Sequence, residues 1–598
     1  MKKHVYVILF FGVATLVFTY PLIIIKIGSY IPAFFSTDET FGALWDSWRI
    51  KYSLLHGISV TKTNFVAYPF GINLYASAFI SYLWLALTYL LSFALTPVLC
   101  FNIQGLFNIC SMGFFCYILV YQLTGSRAGA IFSGIAYAFC PYQFSRLWQH
   151  LGLTYNQWIP LVLLSLVALK VKNSRGVKVL LFISLLLAFS FDFSVMYFTT
   201  IVIASFLIYF IAYSWRSRSN DLNSWNNALV YLKNVFLIGL LVLLILLPQI
   251  LPIIINRMKL SAATLASASN SYHRSFEDLF AQSARPLSYF LPAASHPVFG
   301  GFTEQFIGTD FYGESFTEHA LYLGWIPLIL AFVAFRAWRK KKTTLSKDNS
   351  FYIGFYVLLA AVAWLFSQPP WWKIGPVKII MPSFFMYKLL PMFRAYCRFG
   401  IIVMFAVAVL AGFGLRIVLE RFKKRASKMA VAGLILSVLV FEFWNYPPFK
   451  VIDVSKVPAV YYWLKGQPGN FSVVEYPLDT GGPNELYKFY QTKHEKRIIN
   501  GSVPGSYANN FAQGIKDLSS SRTALLLHGM GVKYAIVHRQ DYLESDLIQD
   551  KEELSKIPLN PDLRLVESFP AEECPDKGIM CVQKTGAIDV YEVITVKK

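Results

Sequence analysis

The sequence predicts a multi-pass α-helical membrane protein, with about eleven transmembrane helices and a C-terminal extracytoplasmic α/β domain. Three observations carry this reading. The chain has 598 residues, 56% hydrophobic and only 15% charged, with a mean hydropathy of +0.49; a soluble enzyme carries about 25% charged residues. Its Lys and Arg residues gather in alternate gaps between apolar runs. After Asn445-Tyr446-Pro447-Pro448 no span-length apolar run remains.

The first apolar run, Val5–Ile25, follows Lys2 and Lys3. It is long enough to span a bilayer and lacks a small-residue cleavage site, so it is expected to be a retained helix. Further spans are expected at about 102–123, 128–146, 157–171, 178–194, 195–214, 229–252, 319–336, 351–367, 398–420 and 428–445. The gaps at 2–3, 127, 170–178, 216–233, 336–347 and 416–428 hold 22 basic residues, against Asp221, Asp348 and Glu420 in or beside them. Basic loops stay cytoplasmic during insertion, which places the N-terminus inside and, after an odd number of spans, the C-terminus outside. The net charge of +21 is thereby read as topology determinants facing anionic membrane lipid, with no nucleic-acid partner. The run 76–97 would break the alternation if it crossed, so it is expected to be interfacial or re-entrant; the alternative is a twelfth span.

Three outer segments are long, at about 27–101, 253–318 and 368–397. Residues 1–448 thus form the membrane domain. In 449–598 the β-rich stretches FSVVEYP, VKYAIVH and AIDVYEVI alternate with helix-like ones, which suggests a soluble α/β domain of ordinary size. Cys574 and Cys581 close a short loop there, either as a disulfide or as two free thiols. No CxxC pair, zinc spacing or internal repeat is present. The many Trp and Tyr residues suit interfacial belts.

Candidate chemistry falls on the outer side. Asp38 and Glu39 follow the first span in STDETFGALWDSWRIKY; a partly desolvated carboxylate there can act as general base, and an ordinary solvated pair is the plain alternative. NFVAYPFGINLY, with Tyr68, reads as a turn that returns the loop to the membrane. Asp192, in SFDFSVMY, is an acid at the end of an apolar run: a functional candidate, or a helix-end Asp bonding to backbone. His273, Arg274, Arg285 and His296 lie in the second outer segment, and Arg394 and Arg398 bracket the start of the tenth span in PMFRAYCRFG.

An acid just after the first span, followed by Trp residues and a YPxGxxL-like turn, resembles the polytopic glycosyltransferases of the GT-C class, among them oligosaccharyltransferases, protein mannosyltransferases and aminoarabinose transferases. The resemblance is nearer to bacterial and archaeal relatives of unassigned substrate, including YfhO-like membrane proteins. SRAGAIFSGIAYAFCPYQFSRLWQHLGL, SARPLSYFLPAASHPVFG, EHALYLGWIPL and PMFRAYCRFG extend it over most of residues 1–450. It implies transfer of a sugar from a polyprenyl-phosphate-linked donor to a glycan, lipid or protein acceptor, with inversion expected. Asp38, or its neighbour Glu39, takes the place of the family's first-loop acid, which activates the acceptor or helps to bind a divalent metal (Mg or Mn). Gln149 and His150 stand where a second acid is often found, which puts a two-carboxylate metal site in doubt; Asp192 could substitute beside Asp38. Arg394 and Arg398, with Arg274 and Arg285 behind them, are the expected holders of the donor phosphate, since Arg suits bidentate phosphate contact; stacking or snorkelling is the alternative. Two rivals lack catalysis: a lipid-linked sugar transporter or flippase, and a glycan-assembly factor with a glycosyltransferase-like fold.

Overall fold

The structure is a computed structural model and describes all residues except 1, 21, 23–25, 34–38, 74–80, 218–221, 260–274, 341–345, 446–448, 479–482, 503–505, 546–547, 576–578 and 595–598. Asp38, His273 and Arg274 therefore lie outside the described residues.

Each of the eleven predicted segments contains a helix. In chain order these are α1 (Lys2–Phe18), then, past the first outer loop with its helices α2 (Thr40–Leu55) and α3 (Tyr82–Ser92), α4 (Pro97–Thr124), α5 (Arg127–Ala138), α6 (Pro141–Gln149), α7 (Trp158–Val171), α8 (Arg175–Ser190), α9 (Phe193–Ser217), α10 (Leu222–Lys259), α11 (Trp325–Arg339), α12 (Lys347–Ser367), α13 (Gly400–Glu420) and α14 (Arg425–Glu442). Among the described residues, six helical segments are long and apolar enough to cross a membrane. The predicted span 128–146 is broken. Pro141 opens α6 as its first residue, because proline has no N–H to continue α5. Among the described residues, the 76–97 run holds the eleven-residue α3, too short to cross.

The bundle closes around α13, whose residues 400–415 are all buried. Its neighbours α5, α11 and α12 pack against it. Close approach depends on small residues, as in membrane helix pairs generally: a Cβ at Gly129 would lie 2.5 Å from the Gly412 carbonyl oxygen, and Ser133 donates its hydroxyl to the Ala408 carbonyl at 2.7 Å. By contrast α10 presents mostly exposed apolar side chains, and α14 mostly exposed or half-buried ones, the pattern of helices facing lipid.

The C-terminal residues build a five-stranded mixed sheet. Strands Ser472–Tyr476 and Val532–His538 lie at its centre, parallel to each other, and Ile588–Val593 and Leu563–Phe569 extend it antiparallel. The central strands are almost wholly buried, as expected for strands covered on both faces. Cys574 and Cys581 are joined in a disulfide.

The first outer loop is stitched to this sheet region. Tyr30–Pro32 pairs antiparallel with Val451–Asp453, which pairs parallel with Met580–Cys581. Ala67 and Tyr68 donate backbone N–H groups to Asn500 and Ile498. The YPFG turn is thus held against the C-terminal region. Its aromatic residues find partners in the C-terminal region: Phe70 packs on Tyr507, with ring centroids 4.9 Å apart, and Arg497 lies over the Tyr68 ring at 5.3 Å. Helix α2 packs along the C-terminal helix α15 (Pro483–His494), and Trp45 Nε1 donates to Gln491 Oε1 at 2.7 Å.

Candidate functional site

A cavity of about 920 Å³ opens where the first outer loop, the helix bundle and the C-terminal region meet. Six chain segments supply its charged walls. Helix α2 begins at Thr40, so Glu39 sits at its head and Asp46 and Arg49 follow about two and three turns on. The end of α6 supplies Gln149 and His150, and the start of α9 supplies Asp192. Loops at 315–318 and 392–398 bring Glu318, Arg394 and Arg398, and α15 brings Glu485 and Lys488. The sequence candidates Glu39, Gln149, His150, Asp192, Arg394 and Arg398 thus line one cavity.

Its floor is an ion cluster. Glu318 accepts from Arg146 Nη2 at 2.8 Å, and from Arg398 Nη2 at 2.5 Å and Nε at 3.1 Å. Arg146 is fully buried and also donates to the Thr317 carbonyl at 3.0 Å. Burial alone would raise the Glu318 pKa, but the two guanidinium groups outweigh it and hold the carboxyl well below its ordinary value. Arg398 has committed Nε and Nη2 to this carboxylate; among the described residues Nη1 makes no hydrogen bond.

The mouth differs. Glu39 Oε2 lies 2.7 Å from His150 Nδ1, with the Glu39 side chain 72% exposed. Desolvation in the cavity pushes its pKa up, but the bond to His150 and the nearby charges of His150 and Arg398 bring it below the ordinary value. Glu39 is therefore ionised at neutral pH and accessible. Asp192 caps α9: its Oδ1 accepts from the N–H groups of Ser194 at 2.7 Å and Val195 at 3.2 Å. This leaves Oδ2 beside Gly152, where a Cβ would come within 2.7 Å of it. Arg394 donates Nη1 to Asp278 at 2.9 Å and remains 42% exposed. Arg49 is buried against Asp46 at 2.9 Å. From the C-terminal side, Lys488 pairs with Glu485 at 2.5 Å and reaches over the Trp45 ring. The Glu485 carboxylate occupies the space that a side chain at Gly42 would fill.

Three candidates stand elsewhere. Tyr68 packs in the turn described above. Arg285 donates to the Phe280 carbonyl at 2.8 Å, and His296 is buried, with Nε2 on the Phe441 carbonyl at 2.8 Å and Nδ1 accepting from Val298 and Phe299. Desolvation lowers the His296 pKa, so it is a neutral structural histidine. None of the three lines the cavity: Arg285 is held by the Phe280 carbonyl, His296 by the Phe441 carbonyl, and Arg497 covers Tyr68.

Sequence reasoning missed Arg146, Glu318, Arg49, Glu485 and Lys488. Two had a signal: Glu318 heads EHALYLGWIPL and Arg146 sits in SRLWQH, each a charge at the rim of an apolar run. Glu485 and Lys488 had none, since only tertiary docking brings α15 to α2.

A metal site at Asp38 and Asp192 falls partly outside the described residues. No three His, Cys, Asp or Glu among the described residues are grouped to hold a metal ion. Glu39, Asp46, Glu318 and Glu485 each face a cationic or imidazole partner, and Asp192 gives one oxygen to backbone. No step below is routed through a metal.

The architecture is similar in fold to solved membrane glycosyltransferases of the GT-C class. The archaeal oligosaccharyltransferase AglB from Archaeoglobus fulgidus, solved with an inhibitory peptide and a dolichol-phosphate, is similar over 99% of this chain and 88% of its own, with 10% identity and a TM-score of 0.55. The A. fulgidus oligosaccharyltransferase solved with Zn and sulfate gives a TM-score of 0.54 at 10% identity, over 98% of this chain and 88% of its own. The arabinofuranosyltransferase AftD from Mycobacteria matches over all of this chain with 13% identity and a TM-score of 0.52; this chain spans 42% of its length. At these identities the likeness is one of fold. No family sequence model matches the chain, and no curated protein sequence does.

Proposed function

We propose that the protein is a membrane glycosyltransferase that moves a sugar from a polyprenyl-phosphate-linked donor to a glycan, lipid or protein acceptor at the outer membrane face. One observation carries this reading: a single large cavity of the GT-C fold gathers an accessible carboxylate, an adjacent imidazole and two arginines. The lipid's polar end would enter at Arg394, the more exposed of the two arginines, with Arg398 Nη1 as a second donor. The acceptor hydroxyl would lie at Glu39, with Asp38 next to it in the chain. The acceptor oxygen bonds to the anomeric carbon while the bond from that carbon to the phosphate oxygen breaks. The hydroxyl proton passes to the Glu39 carboxylate, and the phosphate leaves with the bonding electrons, its charge held by arginine. A single displacement of this kind inverts the anomeric centre. His150 orients Glu39 through its 2.7 Å bond.

In this reading the N-terminus is cytoplasmic, the eleven helical segments cross the membrane, and residues 449–598 form an outer domain whose Glu485 and Lys488 help to seat the acceptor. The test is release of polyprenyl phosphate and formation of glycosylated product by purified wild type and by Asp38→Asn, Glu39→Gln and Asp192→Asn variants. Loss of a general base is expected to lower transfer by about 10²–10⁴-fold for Glu39→Gln, with insertion and folding retained. If all three variants keep wild-type rates, the carboxylate mechanism is wrong. If wild type transfers from no such donor, a transport or assembly role replaces it.

A further inference from the structure

A second cavity, of about 450 Å³, lies at the opposite end of α13. Arg416, Arg425 and Lys428 line it, and Glu420 is its only acid. Glu420 is already bonded to Arg416 Nε at 2.7 Å, while Arg416 Nη1 is fixed on the Thr124 carbonyl at 2.8 Å. Among the described residues Arg425 and Lys428 form no ion pair. Both stand in the first turn of α14, which has no acid there and no side-chain cap. The positive end of a helix dipole disfavours cations, so this arrangement is self-repelling unless an anion joins it. The N-terminus of α5 reaches the same cavity through Ser126, which caps Gly129.

The other wall is apolar. Met429 and Ala432 line the cavity and continue onto a face of α14 on which only Leu439 is buried; Met429 and Leu434 are each about two-thirds exposed, at 65% and 67%. A retained basic loop needs charge but no cavity, and a free phosphate needs no apolar wall. A phospholipid supplies both partners. The 21-residue α13 spans about 30 Å, the thickness of a bilayer's hydrocarbon core. Arg398 at one end and Arg416 near the other therefore lie close to opposite membrane surfaces.

We propose that this cavity binds the phosphate headgroup of an anionic glycerophospholipid, with an acyl chain along Met429 and Ala432. This is a site separate from the catalytic cavity and does not depend on the transferase reading. The test uses the full chain in phosphatidylcholine nanodiscs, titrated with phosphatidylglycerol, with bound lipid counted by native mass spectrometry after release. Wild type is expected to retain one phosphatidylglycerol in preference to phosphatidylcholine. Arg425→Gln with Lys428→Gln is expected to weaken that retention by about thirtyfold. Arg421→Gln with Lys423→Gln removes the same charge from the same loop outside the cavity and is expected to stay close to wild type. Equal loss in both double variants would mean diffuse surface charge and overturn the site. So would equal retention of the two lipids, or full competition by inorganic phosphate.

Discussion

The floor and the mouth of the outer cavity are built from the same residue types and do opposite things. At the floor, Glu318 is enclosed by Arg146 and Arg398 and accepts hydrogen bonds from both guanidinium groups. At the mouth, Glu39 makes one bond to His150 and is otherwise open. A buried carboxylate with two guanidinium partners is a fastener, because losing one partner strands a charge in low dielectric. An exposed carboxylate with one neutral-capable partner can exchange a proton. Chemistry is therefore expected at the mouth and folding stability at the floor.

That contrast can be broken most forcefully at Glu318. Glu318→Ala leaves two buried arginines unpaired and is expected to cost about 3–5 kcal/mol, read as a lower unfolding temperature and poor recovery from membranes. A variant with wild-type stability would show that the cluster is not a fastener. The next effect is on donor binding. Arg394→Ala removes a charge-assisted contact worth about 1.5–3 kcal/mol and is expected to raise the donor KM while leaving stability unchanged; an unaltered KM would move the phosphate elsewhere.

The pH dependence sharpens the same comparison. Glu318 has a depressed pKa in the folded state, so its stabilisation is present above the ordinary carboxylate value of 4.5 and is lost as pH falls through the folded value. The C-terminal pair Glu475–His538 has the opposite sign. Burial pushes His538 down, but the Glu475 hydrogen bond at 2.8 Å outweighs it and holds its pKa above 6.5. That contribution is present below 6.5 and fades as pH rises through the raised value. Hydrogen exchange is expected to show the cavity floor loosening in acid and the sheet around His538 loosening in mild base. Loosening of both in the same direction would contradict the assignment. The smallest effect is expected from Gly42→Ala. The new methyl group meets the end of the Glu485 side chain, which can swing away, so stability is expected to fall by under about 1 kcal/mol while acceptor KM changes. An unchanged acceptor KM would remove α15 from the site.

Much of the bundle was legible because hydropathy and basic gaps are properties of short segments: each predicted segment holds a helix, with the break at Pro141 as the main departure. The mouth was legible for a similar reason. Glu39, His150, Asp192 and Arg394 are polar residues at the ends of apolar runs, and ends of runs gather at the same membrane surface. The floor was harder, since Arg398 was visible but its partner was not: Glu318 lies 80 positions earlier, and nothing local marks a pairing over that distance. The docking of 65–68 on 498–500 and of α2 on α15 was not legible at all. These contacts join residues more than 400 positions apart, and the YPFG turn carries no mark of which surface it will meet.

The central claim is that the polyprenyl-phosphate donor sits in the outer cavity. The most direct test is photo-crosslinking of a polyprenyl phosphate that carries a diazirine next to its phosphate, followed by peptide mapping of the full chain in nanodiscs. Adducts are expected within residues 39–49, 149–153 and 392–398, and Arg394→Ala is expected to diminish them. Adducts confined to the lipid-facing surface of α10, or to the cavity at the far end of α13, would contradict the account.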